Sequence, residues 1–159
     1  MILDILEIIQ EWKAEGYKVV FTNGVFDILH LGHLHCLETA KSYGSKLIVA
    51  INDDESVKRL GKGDNRPINS ENNRAKLLTG LSCVDLVVIF SEDTPLEAIN
   101  LIEPDVLVKG GDYNAECTDT KNSTYVVGSN EVRASGGEVR TVPLLPGQST
   151  TNLLNSLLL

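Results

Sequence analysis

Cationic residues are scarce in this chain. Its 159 residues hold 14 Lys and Arg against 22 Asp and Glu, a formal charge of −8. That balance argues against nonspecific nucleic-acid binding and against adhesion to an anionic membrane surface. It leaves room for an anionic small molecule, because a local basic cluster outweighs distant charges that salt screens. Cysteine is sparse too. Cys36, Cys83 and Cys117 are odd in number and far apart, which points to a reducing compartment rather than a disulfide framework. No stretch is long and apolar enough to span a bilayer, and the acidic, amphipathic start differs from a signal peptide, so a cytoplasmic location is expected. There is no Cys-x-x-Cys, no His-Glu-x-x-His and no distant ligand pair to complete a zinc shell around His30, His33, His35 and Cys36. No protein-held metal is expected. Repeats, low-complexity tracts and interdomain linkers are absent as well, so residues 1–159 are expected to form one domain with its own core.

What is present is an alternation of apolar runs and helical patterns. The spacing of Ile2, Leu3, Ile5, Leu6, Ile8, Ile9 and Trp12 predicts an amphipathic helix ending near Gly16. Residues 17–21, 46–52, 84–90, 105–108 and 138–142 read as strands. The run 46–52 is apolar almost throughout, which means burial on both faces and hence a parallel sheet. Helices are expected over 34–41, closed by Gly44 as a C-cap glycine, over 54–60, and over 71–81 with Ser70 as its cap. A further helix should open at Thr94-Pro95-Leu96-Glu97 with a hydroxyl cap and capping box, and run to about 102. Residues 125–134 read as a helix stopped by Gly136-Gly137, and a closing helix follows Gly147. Stretches 61–69 and 114–122 read as loop. This order predicts an α/β fold with right-handed crossovers, whose ligands bind at the carboxyl ends of the strands beside the switch in strand order.

The stretch 22–33, Thr-Asn-Gly-Val-Phe-Asp-Ile-Leu-His-Leu-Gly-His, lies where the first strand hands over to a helix. Free N–H groups and a partial positive charge at that helix end suit a phosphate. Gly24 and Gly32 remove side chains that would keep a bulky anion from the backbone. A lone histidine at a helix start is more often a cap; two flanking a glycine point to ligand binding. Phosphoryl-type transfer asks mainly for positioning and positive charge, and the cations at hand are Lys58, Arg59, Lys62, Arg66, Arg74 and Lys109. Arg74 with Glu71 also fits a surface pair of little energetic value. Ser149-Thr150-Thr151 offers hydroxyls at a second helix start, one of them as its cap.

Gly-Val-Phe-Asp-Ile-Leu-His-Leu-Gly-His resembles the HxGH signature of the nucleotidyltransferase superfamily, which includes glycerol-3-phosphate cytidylyltransferase. Gly147-x-Ser-Thr-Thr is similar to that superfamily's second nucleotide motif. Further stretches, Arg66-Pro67-Ile68-Asn69, Glu92-Asp93-Thr94-Pro95, Val108-Lys109-Gly110-Gly111-Asp112-Tyr113 and Gly136-Gly137-Glu138-Val139, resemble one branch. It is the D-glycero-β-D-manno-heptose 1-phosphate adenylyltransferases (the adenylyltransferase domain of ADP-heptose synthase). Cytidylyltransferases carry a different residue at Lys109 and tend to carry arginine at Leu144. The segment 115–127 is longer than expected for the branch, and 60–64 is altered by a residue.

The resemblance implies a Rossmann-like three-layer fold with a five-stranded parallel sheet and one nucleotidyltransferase domain. It implies transfer of AMP from ATP to the heptose 1-phosphate, giving ADP-heptose and pyrophosphate for lipopolysaccharide core biosynthesis. His30, His33, Lys58 and Arg74 are the expected catalytic residues. Thr22, Asn23, Gly24, Val25, Phe26, His30, Gly32, His33, Lys109, Gly110, Gly147, Ser149, Thr150 and Thr151 are expected to hold the nucleotide. Asp27, Asn52, Lys58, Arg59, Lys62, Arg66 and Asp112 are expected to face the sugar phosphate. Mg²⁺ would come with ATP, a separate heptose kinase would supply the acceptor, and the protein would be a homodimer. Two other readings stand: a cytidylyltransferase of the glycerol-3-phosphate type or an FAD synthetase, and a non-catalytic ATP-binding module. The basic loop 58–66 argues against the module, because a sensor needs no second anion site.

Overall fold

The apolar runs become five strands, β1 (Val19–Gly24), β2 (Lys46–Asn52), β3 (Leu86–Phe90), β4 (Val106–Gly110) and β5 (Glu138–Val142). They are seen in a computed structural model that describes residues 2–61, 63 and 65–157. The strands lie in the order β3-β2-β1-β4-β5, and all pair in parallel. The chain therefore winds outward from β1 to one edge, then returns to the other side of β1. That reversal opens a crevice at the carboxyl ends of β1 and β4.

Two strands run further than their apolar residues suggest. β1 continues through Asn23 and Gly24, paired with Ala50 and Ile51. β4 continues through Lys109 and Gly110, paired with Thr141 and Val142. Ladder hydrogen bonds to a neighbour already in place hold these polar ends in the sheet.

Alternate residues of the sheet point into two cores. Val20, Leu47, Val49, Ile51, Val106 and Val108 pack under Leu37 and Ala40 of α2 (Leu31–Ser42) and Leu78 of α4 (Glu71–Thr79). Val19, Phe21, Ile48, Ala50 and Leu107 face Ile9 of α1 (Ile2–Ala14), Ile99 and Ile102 of α5 (Leu96–Ile102), and Val132 of α6 (Ser129–Ala134). The result is a three-layer, Rossmann-like α/β fold. Leu47 through Ile51 are fully buried, as a doubly covered strand requires, and each such aliphatic side chain contributes about 2 kcal/mol. A short α3 (Asp54–Arg59) follows β2, and α7 (Thr150–Leu157) closes the described chain.

Three local expectations are corrected. Tyr43, in right-handed conformation, is the C-cap of α2. Gly44 instead gives clearance: a Cβ there would sit 2.6 Å from Val20 Cγ2 and 2.7 Å from the Lys18 carbonyl oxygen. The capping box at α5 does not form; Pro95 is the N-cap and no side chain caps the helix. Lys13 serves that helix at its other end, donating to the carbonyls of Ile102 (2.7 Å) and Glu103 (2.6 Å). Helix α6 starts at Ser129 rather than at 125, because Gly128 adopts a φ of 87° against Ile99. Gly44→Ala should destabilise the protein by about 1–3 kcal/mol through overpacking, read as a lowered urea midpoint at unchanged m-value; an unchanged midpoint would show that the β1–α2 junction has slack.

Candidate active site

At the end of β1 the backbone turns through Phe26, whose φ of 51° is left-handed. Its ring is buried over Gly24, where a Cβ would lie 2.9 Å from Phe26 Cε2, and its centroid stands 5.1 Å from that of His33. His30 is the N-cap of α2, and its Nδ1 accepts from the His33 N–H at 3.4 Å. The two imidazoles stack with centroids 3.8 Å apart and planes 22° from parallel. Accepting at Nδ1 puts the proton of neutral His30 on Nε2, and burial lowers the pKa of His30 from its ordinary 6.5.

Gly32 lets a second helix start approach the first. A Cβ on it would lie 3.0 Å from the His30 ring and 3.1 Å from the carbonyl oxygen of Gln148. Ser149 caps α7 by accepting from the Asn152 N–H at 3.1 Å, so Thr150 and Thr151 are the hydroxyls of that trio not used as its cap. Across the crevice, Lys109 Nζ lies 3.2 Å from Asn23 Oδ1 and 3.3 Å from the Asn23 carbonyl. Gly110 accommodates Cys36, whose Sγ lies 2.9 Å from where a Cβ would be. Burial raises the Cys36 thiol pKa, with Lys109 pulling the other way, so this thiol is a wall rather than a nucleophile.

These groups enclose a cleft of about 570 Å³. It brings together Thr22, Asn23, Gly24, Val25, Phe26, Asp27, His30, Gly32, His33, Arg66, Lys109, Gly110, Ser149, Thr150 and Thr151. Cys36, Gln148 and Leu144 line it as well, without having been singled out as site residues. Cys36 had a signal: it lies three residues after His33, on the same face of α2. A smaller cleft of about 260 Å³ shares Asn23, Gly24, Val25 and Lys109 with the first and extends past Asn52, Phe90, Asp93, Thr94 and Tyr113.

Other expected residues lie elsewhere. Lys58 lines neither cleft; it pairs with Glu55 at 2.5 Å, and that hydrogen bond raises its pKa. Arg59 lines neither cleft and pairs with Asp93 at 2.7 Å. Asp112 is exposed on the loop after β4, and Gly147 has a φ of 75°; neither lines either of these two clefts. Lys62 lies outside the described residues.

Arg74 is neither a catalytic group at the cleft surface nor half of a surface pair with Glu71. It is fully buried and donates to the Val25 carbonyl (2.8 Å), the Asn69 carbonyl (3.0 Å) and Asp54 Oδ1 (2.7 Å). Asp54 in turn accepts from the Glu71 N–H at 2.8 Å, and Glu71 Oε2 accepts from the Asp54 N–H at 2.8 Å, so α3 and α4 cap each other. Asp27 is buried as well. Its Oδ1 accepts from the backbone N–H groups of Ile68 (2.9 Å) and Asn69 (2.8 Å), and its Oδ2 lies 2.6 Å from Arg66 Nε. Among the described residues no three His, Cys, Asp or Glu side chains gather to hold a metal ion. The Asp27 carboxylate, already engaged, has little to offer Mg²⁺.

Residues 21–153 match the family model described as cytidylyltransferase-like. The chain belongs to the cytidylyltransferase-like family. It is a nucleotidyltransferase. This cytidylyltransferase-like chain is 54% identical over 144 residues to the Bifunctional protein HldE of Rhodopseudomonas palustris (strain BisB18), covering 91% of this chain and 28% of that protein. It is 51% identical over 146 residues to that of Hyphomonas neptunium (strain ATCC 15444), covering 92% and 28%. The chain thus spans under a third of the length of these curated relatives. A solved structure, the lipopolysaccharide core biosynthesis protein from Thermoplasma volcanium GSS1, superposes with a TM-score of 0.61 at 28% identity, over 82% of this chain and 98% of that one. Pantoate-beta-alanine ligase from Francisella tularensis shares the fold alone, with a TM-score of 0.60 at 16% identity over 94% and 70%.

Two tests bear on the cytidylyltransferase-like site. Arg74→Met strands Asp54 and two carbonyls, and should cost about 3–5 kcal/mol of stability; a loss below 1 kcal/mol in denaturant melts would return Arg74 to the status of a surface charge. The folded protein takes up the His30 proton less readily than the unfolded chain does. The site's contribution to stability therefore falls as pH drops through the ordinary imidazole pKa of 6.5 toward the lower folded value. An NMR titration of His30 Hε1 should give a midpoint below 6.5, and a midpoint above it would contradict the buried, Nδ1-accepting imidazole.

Proposed function

We propose that this chain transfers AMP from ATP to D-glycero-β-D-manno-heptose 1-phosphate, releasing pyrophosphate and ADP-heptose for lipopolysaccharide core biosynthesis. The observation that carries the reading is the meeting of two helix starts, α2 and α7, across Gly32, with His30, His33, Thr150 and Thr151 on one cleft. Such a groove suits a triphosphate, since free N–H groups, hydroxyls and imidazoles converge where its charge would lie. The identity to proteins named Bifunctional protein HldE and the Lys-Gly-Gly-Asp-Tyr stretch at 109–113 support the acceptor.

In this reading an oxygen of the sugar phosphate attacks the α-phosphorus in line. The new O–P bond forms as the bond from the α-phosphorus to the bridging oxygen of pyrophosphate breaks, and both electrons leave with pyrophosphate. The attacking oxygen is already ionised, so no general base is needed. His30, His33 and Lys109 offset the charge that builds on the transferring group. Mg²⁺ arrives on the ATP phosphates, which hold it without a cage of protein carboxylates. The acceptor's phosphate has to come from a kinase acting on the free sugar. A homodimer and a cytoplasmic location belong to the same proposal; among the described residues no helix is long and apolar enough to cross a membrane.

A coupled pyrophosphate assay crossing four nucleoside triphosphates with several sugar and polyol phosphates tests it. Release should need ATP and the heptose 1-phosphate together, whereas preference for CTP or flavin phosphate would overturn the reading. His33→Ala, checked for folding by its thermal melt, should lower kcat by about 10²–10³; undiminished turnover would remove the imidazole from the reaction.

A further inference from the structure

Asn69 stands between α4 and the turn that leads to the histidines, and it is bonded to both. Its carbonyl accepts from Arg74 Nε at 3.0 Å, and the next residue, Ser70, is the N-cap of α4. The residue is therefore seated on the helix start. From that seat its backbone N–H donates to Asp27 Oδ1 at 2.8 Å, and its side-chain N–H donates to the Asp27 carbonyl at 2.6 Å. These two bonds do different things. A bond to the carboxylate holds a side chain, which turns about its own torsions. A bond to the carbonyl holds a peptide plane. Only Ile28 and Leu29 separate that plane from His30, the extended N-cap of α2 with φ −144° and ψ 173°. On its other side stands Phe26 with a φ of 51°, a conformation that a non-glycine residue keeps only where its surroundings enforce it. The segment that carries Asn69 also carries Arg66, which lines the larger cleft together with both histidines.

We propose that Asn69 is a positioning residue, whose side-chain amide fixes the Asp27 peptide and so holds His30 and His33 in register with Arg66 across the larger cleft. The inference rests on the adenylyl-transfer reading and adds to it a residue that lines neither cleft. Donors offset the charge of a transferring group only when they are already aimed at it, and a misplacement of roughly 1 Å slows such a step by up to about 10²-fold. The histidines do not fix their own position. His30 Nδ1 accepts from the His33 N–H, which ties one imidazole to the other and leaves the pair to move with the turn before them. The Asn69 amide removes that freedom, because its other attachments are to a helix rather than to the motif. A donor is needed there: a carboxylate in its place would face the Asp27 carbonyl oxygen with no N–H to give.

Asn69→Ala isolates the amide, since the backbone bonds to Asp27 Oδ1 and from Arg74 Nε survive the change. Ser70→Ala is its control: it removes the neighbouring helix cap, which accepts from the Asn73 N–H, and touches nothing on the turn. Each should lower Tm by about 2–4 °C. Proton NMR of the unliganded protein then separates them. The imidazole ring protons, which shield one another across a stack of 3.8 Å, should shift in Asn69→Ala and stay in place in Ser70→Ala. In the pyrophosphate assay Asn69→Ala should lower kcat about tenfold with the KM for the heptose 1-phosphate unchanged, while Ser70→Ala keeps its kcat. Asn69→Ser, whose hydroxyl still donates, should recover part of the loss. Unmoved imidazole resonances in Asn69→Ala would overturn the inference, as would an undiminished kcat or an equal loss in Ser70→Ala. Should Asn69→Ala fold too poorly to assay, Asn69→Leu, which keeps the volume and lacks the donor, takes its place under the same criteria. Failure of the unaltered protein to use any sugar 1-phosphate would instead overturn the reaction proposed above, and the NMR comparison would still decide whether Asn69 positions the histidines.

Discussion

A single guanidinium holds the crevice together. Arg74 is buried without residual exposure, and its three donor groups reach the turn after β1 at Val25, the loop before α4 at Asn69 and the start of α3 at Asp54. A buried cation is tolerable only when its donors are matched, and here one of the three partners is a carboxylate. The consequence reaches the motif itself. Asn69 donates its side-chain N–H to the Asp27 carbonyl at 2.6 Å, and its backbone N–H to the Asp27 carboxylate. Through Arg74 and Asp27 the backbone between β1 and α2 is clamped from two sides, which sustains the left-handed Phe26 and the stacked histidines beyond it.

The larger cleft is built mostly from what is missing. Gly24, Gly32 and Gly110 each face a contact so close that a Cβ would fall within about 3 Å of a neighbouring atom. Those contacts are Phe26, the His30 ring with the Gln148 carbonyl, and Cys36 respectively. Space is therefore spent on bringing backbone and imidazoles together rather than on side-chain packing. His30 is mostly neutral at neutral pH in the absence of ligand, since burial disfavours its charge. A neutral imidazole can hydrogen-bond to an arriving polyanion, and the anion's field then favours protonation. In the proposed reaction, positive charge on His30 would then appear as the triphosphate arrives.

How much of this was legible depended on the range of the interaction. Strands β2 and β5 have the boundaries read from their residue patterns, and Ser70 caps α4 as its position suggests. These are local signals. The histidines and glycines of 22–33 are also contiguous, so a reader of the chain sees them together. Arg74 and Arg59 are different. Their partners stand at Val25, Asp54 and Asp93, 49, 20 and 34 residues away, and no spacing in the sequence announces such pairs. Arginines near a phosphate-binding motif look like anion ligands until their carboxylates are found. Gly44 failed as a C-cap for a related reason: the close approach that demands a glycine there comes from Val20 of β1 and the Lys18 carbonyl just before it.

The wall between the clefts explains how the proposed chemistry avoids a geometric conflict. In-line displacement needs the entering and leaving oxygens on opposite sides of the α-phosphorus. In the proposed reaction the histidines and hydroxyls of the larger cleft would face the leaving pyrophosphate, and the acceptor would enter from the other side of the shared wall. Asn23, Gly24, Val25 and Lys109 border both. Lys109 alone among these carries charge, and it is held over the Asn23 carbonyl and side chain at the boundary. In the proposed reaction a cation there would lower the repulsion between the two phosphates that must approach to bonding distance. The two-sided arrangement follows from strand order, because β1 and β4 are the pair at which the chain reverses direction.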